Sequence, residues 1–352
     1  MLDEATAGAK DKRPLLAVPV IDFSPWLAGD DAGKRQVASA IDRACREVGF
    51  FVLTGHTVSQ QLLDDWLAVS RDFFHLPAEE KLRAAPAPGD FHHGYHRMAA
   101  EGLAYKDAAG DGKLPPPDLR EFFAVGRDGL DDAYYRSADA ARFYKANIWP
   151  AHPPAFRDIA CAYFSAADGL CNMLLRAAAL AFGLPEAYFD DKVDRSFSTL
   201  STIHYPAQRE APLPGQLRAG VHTDYTSLTL VAQTDPSGGL QALNRRGEWI
   251  DVPYVKGAFA VNVGDMMAQW TNDVWVSTPH RVVNPAQDGA HLKPRQSVAY
   301  FQHPNYDTVI ACLPSCTDAS RPPRHADVTS GDYIWGKVNR IAPGLREAAA
   351  TP

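Results

Sequence analysis

The sequence predicts a mainly β fold, a sandwich or barrel of many short strands backed by helices, and three observations point to it. From Phe197 to about Phe301, apolar or alternating runs recur at regular spacing with turn residues between them, the pattern of strands closing on themselves. Between Pro153 and Gly183 a stripe of Phe156, Tyr163, Phe164, Leu170, Leu174 and Leu175 recurs at helical spacing, with Arg157, Asp158, Asp168 and Arg176 off it. Such a helix backs a sheet, and its charges exclude a membrane span. Ahead of both, the chain opens strand, helix, strand, helix.

Taken in order, residues 1–13 are polar and charged and read as a disordered leader. Val18-Pro-Val-Ile-Asp-Phe reads as a first strand. Asp30-Asp31 starts a helix with Val37, Ile41, Ala44, Cys45 and Val48 inward, which Gly49 stops. Phe50-Phe-Val-Leu-Thr is a strand and Gly55-His56 turns the chain. Ser59 then caps a second helix with Leu62, Leu63, Trp66, Leu67, Phe73 and Phe74 inward. Residues 86–117, rich in Gly, Pro, His, Tyr and basic residues, read mostly as a solvated loop, of the kind that forms a lid and carries specificity. His92-His93 suggests no second metal, because neighbours on a strand point apart. Glu121-Phe-Phe-Ala-Val is a further strand.

The 352 residues, 46% hydrophobic, supply ample core. Without a repeat or interdomain linker, one domain over 14–345 is expected. It comprises an N-terminal α/β scaffold and lid (14–120), a β core (197–305) and a tail at 346–352. A net charge of −7 and no long basic run argue against nucleic acid or an anionic membrane as partner. Pro14-Leu-Leu-Ala-Val-Pro-Val-Ile is too short and broken to serve as a signal segment. Cys45, Cys161, Cys171, Cys312 and Cys316 are odd in number and scattered, which fits reduced thiols in a cytoplasm. A monomer or weak homo-oligomer is expected.

Chemistry concentrates between Gly220 and Phe301. In Gly220-Val-His222-Thr-Asp224 the two polar side chains lie two apart, so an extended strand would point both to one face. His280, in Trp275-Val-Ser-Thr-Pro-His280-Arg-Val-Val, is distant enough for another strand to bring it alongside. Two imidazoles and one carboxylate on one side of a metal leave the opposite positions open, as in non-haem Fe(II) oxygenases. Arg295 and Ser297 share a strand face with Ala299 and Phe301. An inward Arg there is a costly buried charge unless it meets an anion, and its planar fork suits a carboxylate.

These phrases, in order, resemble the catalytic half of the isopenicillin N synthase-like family of Fe(II)/2-oxoglutarate-dependent dioxygenases: G-x-H-T-D, L-T-L-x-x-Q, G-G-L-Q, W-I-D-V-P, V-N-x-G-D, S-T-P-H-R-V and R-x-S-x-x-x-F. Val48-Gly-Phe-Phe and Phe73-Phe-His-Leu-Pro resemble its N-terminal segment. The resemblance implies a double-stranded β-helix (distorted jelly roll) core, with His222, Asp224 and His280 as ligands of Fe(II). It implies that Arg295, Ser297 and Tyr205 hold the far carboxylate of 2-oxoglutarate, and that dioxygen is the oxidant. Oxidation of a small-molecule substrate would follow, by hydroxylation or by desaturation or cyclisation, with release of succinate and CO2. Phe301, Tyr95, Arg97 and Lys106 are expected at the substrate, and the basic and aromatic lid would suit an anionic or polar ring-bearing molecule. Where plant-type members carry Asn-Tyr-Tyr-Pro, this chain has Ile203-His204-Tyr205-Pro206, which puts the Asn contact in doubt and leaves the role of His204 open.

The alternative within the same fold is an oxidase that uses dioxygen without 2-oxoglutarate, with the Arg-x-Ser pair on the substrate. The final residues lack the glutamine that can reach the iron in isopenicillin N synthase. A non-catalytic receptor of the same fold would be expected to have lost a metal ligand or the clamp, and this chain keeps both.

Overall fold

Strands from the two ends of the chain meet in one sheet. The computed structural model describes residues 17–87, 93–98, 116–234, 238–286 and 293–337; the expected leader and tail, and Lys106, lie outside them. The elements in chain order are β1 (Val20–Asp22), α1 (Ser24–Leu27), α2 (Asp31–Glu47), β2 (Phe50–Thr54), α3 (Gln60–Phe74), α4 (Ala78–Leu82), β3 (Gly94–His96) and β4 (Glu121–Gly126). There follow α5 (Phe156–Ala181), α6 (Asp190–Val193), β5 (Thr199–Tyr205), β6 (Ala219–His222), β7 (Leu228–Gln233), β8 (Leu240–Leu243) and β9 (Trp249–Asp251). The last are β10 (Phe259–Val263), α7 (Asp265–Trp270), β11 (His280–Val282), β12 (Arg295–Gln302), β13 (Val309–Ile310) and β14 (Val328–Thr329). Residues 330–337 are helical.

An eight-stranded sheet runs β1-β2-β10-β7-β12-β5-β4-β3 and a four-stranded sheet runs β6-β11-β8-β9. Among the described residues only β1 and β2 pair in parallel. The two sheets form the jelly-roll core, with an apolar layer of Phe50, Ile203, Ala219, Leu240, Val282 and Ala299 between them. Gly94–His96 falls in the stretch expected as a loop, yet it pairs with β4 and extends the large sheet.

Period-two alternation along β12 decides what faces where. Ala299 and Phe301 face the second sheet, while Val298 and Tyr300 join the core beneath the helices. There Phe164 of α5 meets Tyr300 edge-on, 5.2 Å between centroids. Helix starts follow the sequence: Asp30 Oδ1 accepts from Gly33 N at 2.7 Å and Ser59 Oγ from Leu62 N at 3.1 Å. Gly49, at φ +72°, ends α2, and a Cβ there would sit 2.3 Å from the Val276 carbonyl oxygen. That close approach docks the segment before His280: Val276 N donates to Cys45 O at 3.0 Å and Thr278 Oγ1 to Val48 O at 2.7 Å.

Candidate active site

Antiparallel pairing of β11 with β6 sets His280 directly opposite His222. Their ring centroids are 4.2 Å apart. Asp224 Oδ1 lies 3.6 Å from His222 Nε2 and 3.7 Å from His280 Nε2. One ligand atom from each of the three falls within 4.8 Å of the others, and all three residues are buried. The route to this convergence differs from the expectation. β6 stops at His222, so Asp224 lies just beyond the strand and owes its aim to partners. Its Oδ2 accepts from Thr229 Oγ1 and Asn262 Nδ2, both at 2.8 Å, and its own carbonyl accepts from Asp265 N at 2.7 Å.

The tautomers follow from the backbone. His222 Nδ1 lies 2.8 Å from Gly220 O and His280 Nδ1 3.1 Å from Thr278 O. A carbonyl only accepts, so each Nδ1 carries a proton, and each Nε2 is the nitrogen that would present its lone pair to a metal at the shared point. Burial opposes ionisation of Asp224. The adjacent His280 and His222 and the bonds from Asn262 and Thr229 outweigh it, holding the carboxyl well below the usual range. Two neutral imidazoles and one ionised carboxylate are the donors that Fe(II) takes, so the residues present fit that metal.

The same three residues line a cavity of about 350 Å³ between the sheets. Register sorts the remaining walls. Across the β5–β12 ladder Arg295 faces Tyr205, Ser297 faces Ile203 and Phe301 faces Thr199. Arg295, Ser297, Tyr205 and Phe301 all line the cavity. Arg295 is 3% exposed, and its Nε and Nη1 have no hydrogen-bond partner among the described residues. The Tyr205 ring lies 5.0 Å from the guanidinium carbon. Among the described residues no carboxylate forms an ion pair with it. An orphaned buried guanidinium at the end of a cavity is the complement of a carboxylate that comes with a ligand.

Other expectations fare differently. Tyr95 is 5% exposed and belongs to the core, edge-on to Phe73, with its hydroxyl donating to Glu121 Oε2 at 2.5 Å. It does not line the cavity, because β3 pairing turns it toward α3. Arg97 is exposed and also off the cavity wall. His204 points away from the cavity, as alternation requires with Ile203 and Tyr205 facing in. Its Nδ1 lies 2.8 Å from Glu121 Oε1, and Lys81 Nζ donates to the other carboxylate oxygen at 2.8 Å. Ile203 therefore occupies the inward position of the missing Asn phrase. Among the cavity-lining residues that sequence reasoning missed are His93, Arg120 and His303.

Comparison with known proteins agrees with this geometry. The N-terminal model of non-haem dioxygenases in morphine synthesis matches residues 18–152, and the 2OG-Fe(II) oxygenase superfamily model matches 196–304. The chain is 32% identical over 326 residues to the 2-oxoglutarate-Fe(II) type oxidoreductase hxnY of Emericella nidulans, across 91% of this chain and 89% of that one. This chain belongs to the 2OG-Fe(II) oxygenase superfamily. A second superfamily relative, homoarginine-6-hydroxylase 2-ODD-C23 of Glycine max, is 32% identical over 339 residues, covering 92% and 96%. Among solved structures, that of a full-length Neurospora crassa protein in complex with alpha-KG superposes with a TM-score of 0.80 at 32% identity, covering 93% of this chain and 96% of that one. The same Neurospora protein has also been crystallised with alpha-KG and thymine. This superfamily oxygenase thus depends on Fe(II), 2-oxoglutarate and dioxygen, and acts on a small molecule. That assignment sets aside an oxidase working without 2-oxoglutarate. Among the described residues no helix is long and apolar enough to cross a membrane.

Proposed function

We propose that His222, Asp224 and His280 hold the iron of this oxygenase, that Arg295, Ser297 and Tyr205 hold the far carboxylate of 2-oxoglutarate, and that the substrate enters beside Phe301. The observation that carries the reading is the pairing, in one cavity, of a convergent His-Asp-His set with a buried guanidinium whose Nε and Nη1 lack partners among the described residues. Loaded with its metal, the site would supply oxidation of the substrate by dioxygen, coupled to decarboxylation of 2-oxoglutarate to succinate and CO2. The chain's own work is positioning. Gly220 and Thr278 carbonyls fix the two imidazoles, while Thr229 and Asn262 occupy one oxygen of Asp224 and leave the other for the metal. Arg295 sets the depth to which a diacid can enter, and the apolar wall of Ile203, Val231, Leu240 and Val282 keeps water from its stem.

Hydroxylation is the reaction we infer. As further parts of the reading, the chain acts as one domain, because β1 to β4 belong to the same sheet as β5, β7, β10 and β12. Five free cysteines suit a reducing cytoplasm, and a monomer or weak homo-oligomer is proposed. The test is succinate release by anaerobically purified Fe(II) protein given 2-oxoglutarate and oxygen, with and without a panel of small molecules. Release that depends on Fe(II) and rises with one member supports the reading. Absence of succinate throughout, with 2-oxoglutarate failing to bind, contradicts it.

A further inference from the structure

Charge divides the cavity into two ends. Arg120 immediately precedes β4, whose Glu121 pairs with His204, so it lies abreast of Tyr205 and hence of Arg295. Both cavity-lining arginines therefore sit at the carboxylate end. The opposite end, beyond the metal set, is walled by Phe143, Phe197, Tyr225, Phe301, His303 and Ile334. Among the described residues lining that end, Asp224 is the only one with a formal charge, and the metal would take it up. A charged substrate would lose its hydration there without a counter-ion, at a cost of several kcal/mol.

His303 is one of the polar groups at that end, with the Tyr225 hydroxyl and with His93, which lies against Gly126, the partner of Thr199 opposite Phe301. His303 follows Phe301 by two and shares its face. Its ring lies flat against Phe197, 4.8 Å between centroids and 4° between planes. The backbone is pinned on both sides by Ser198 Oγ, which accepts from His303 N at 3.1 Å and donates to His303 O at 3.4 Å. Nδ1 is shut off from solvent, and so from the cavity, with no partner; Nε2 has no hydrogen bond to a described residue and is the ring nitrogen that a ligand in the cavity could meet. Burial lowers the imidazole to a pKa of about 4, against an opposing pull from Asp224, so at neutral pH the ring is uncharged. A neutral imidazole offers one donor and one acceptor.

We infer that His303, backed by Phe197, is a substrate-positioning residue of this oxygenase, and that it positions an uncharged ring carrying a hydrogen-bonding N–H or C=O. The inference rests on the reading of the metal and carboxylate ends given above. The sequence expectation was an anionic or polar ring-bearing molecule, from a basic and aromatic lid; of the lid's basic candidates, Arg97 is off the wall, and Lys106 is outside the described residues.

The test is equilibrium binding to anaerobic protein loaded with Fe(II) and 2-oxoglutarate, followed by calorimetry and by the visible absorbance of the loaded site. The uncharged probes are thymine, uracil, 2-pyridone and hypoxanthine; the charged ones are orotate, nicotinate and homoarginine. At least one uncharged probe should bind more tightly than every charged one. His303→Phe keeps the stacked ring and removes the nitrogens, and it should weaken that probe about 10-fold or more, as one buried hydrogen bond implies. His303→Gln, which restores a donor and an acceptor, should recover part of the loss. Tighter binding of a charged probe, binding by no uncharged probe, or unchanged affinity in His303→Phe overturns the inference. Binding of 2-oxoglutarate itself, read from the visible absorbance of the Fe(II) protein, keeps the two readings apart. If it persists while the probes fail, only the role of His303 falls; if it is absent, the cosubstrate reading falls as well.

Discussion

Asn262 donates from Nδ2 to the Asp224 carboxylate at 2.8 Å, on the oxygen turned away from the two histidines. Together with Thr229 on the same atom, it aims Oδ1 at the point between the two Nε2 atoms, the proposed metal position, from a residue that no strand holds. Asn262→Leu should leave the fold intact and weaken Fe(II) or Mn(II) binding about 10- to 100-fold, the usual consequence of losing a partner behind a metal ligand. Titration of the metal with the melting temperature as control reads this out. Wild-type affinity in Asn262→Leu would remove Asn262 from any role in aiming the carboxylate.

Arg295 gives a prediction with two opposed signs. Without cosubstrate its guanidinium is a buried charge whose Nε and Nη1 have no hydrogen-bond partner among the described residues, so Arg295→Met should not lower, and is expected to raise, the melting temperature of the metal-free protein. The same change should raise the 2-oxoglutarate requirement about 100-fold or more, since losing one side of a buried charge pair costs about 2–5 kcal/mol. Added to metal-loaded protein, 2-oxoglutarate at 100 times the wild-type Kd should stabilise the wild type by about 2.7 kcal/mol and Arg295→Met by about 0.4 kcal/mol or less. Iron binding should persist in the variant.

Glu121 predicts a pH dependence unrelated to catalysis. Burial would raise its carboxyl pKa, but hydrogen bonds from His204, Lys81 and Tyr95 and the Lys81 charge overcome this and lower it from 4.5. A carboxyl depressed in the folded state contributes stability that is fully present above its unfolded value. That contribution is lost as pH falls below about 4.5 through the folded value. Glu121→Gln should therefore cost about 3 kcal/mol at pH 7, as breaking a buried pair does, with the gap from wild type closing as the pH falls below 4.5. Denaturant unfolding at several pH values measures it, and a gap that does not change with pH would contradict the assignment.

Gly264 is held to glycine by space. A Cβ there would sit 2.1 Å from the Thr226 carbonyl oxygen, in the turn where Gly264 N donates to Ser227 O and Asp265 N to Asp224 O. Gly264→Ala should cost about 1–3 kcal/mol as the turn shifts, and it should weaken metal binding because Asp224 moves with that turn. Unfolding and metal titration on the same samples test both; a stable variant with wild-type metal affinity contradicts the argument.

What could be read in the sequence was whatever a period or a motif enforces. The β12 alternation put Arg295, Ser297 and Phe301 on one face without coordinates, and extending it by one step would have found His303. Extending the β5 alternation backward from Thr199 would likewise have found Phe197. His204 and Tyr95 were illegible because their partner, Glu121, lies on a strand that neighbours both in space and neither in sequence. Asp224 was expected on a strand that ends two residues before it, since spacing alone does not register hydrogen bonds from Thr229 and Asn262. Arg120 and His93 reach the cavity through the edge of the large sheet, a position set by the order β12-β5-β4-β3, which a sequence pattern does not encode.

The most direct measurement is the stoichiometry of metal bound under anaerobic conditions, by wild type and by His222→Ala, Asp224→Ala and His280→Ala. One Fe(II) or Mn(II) per wild-type chain is expected, with none retained by the three variants at the same concentration. One ion per chain persisting in any of the three would contradict the assignment of the metal site.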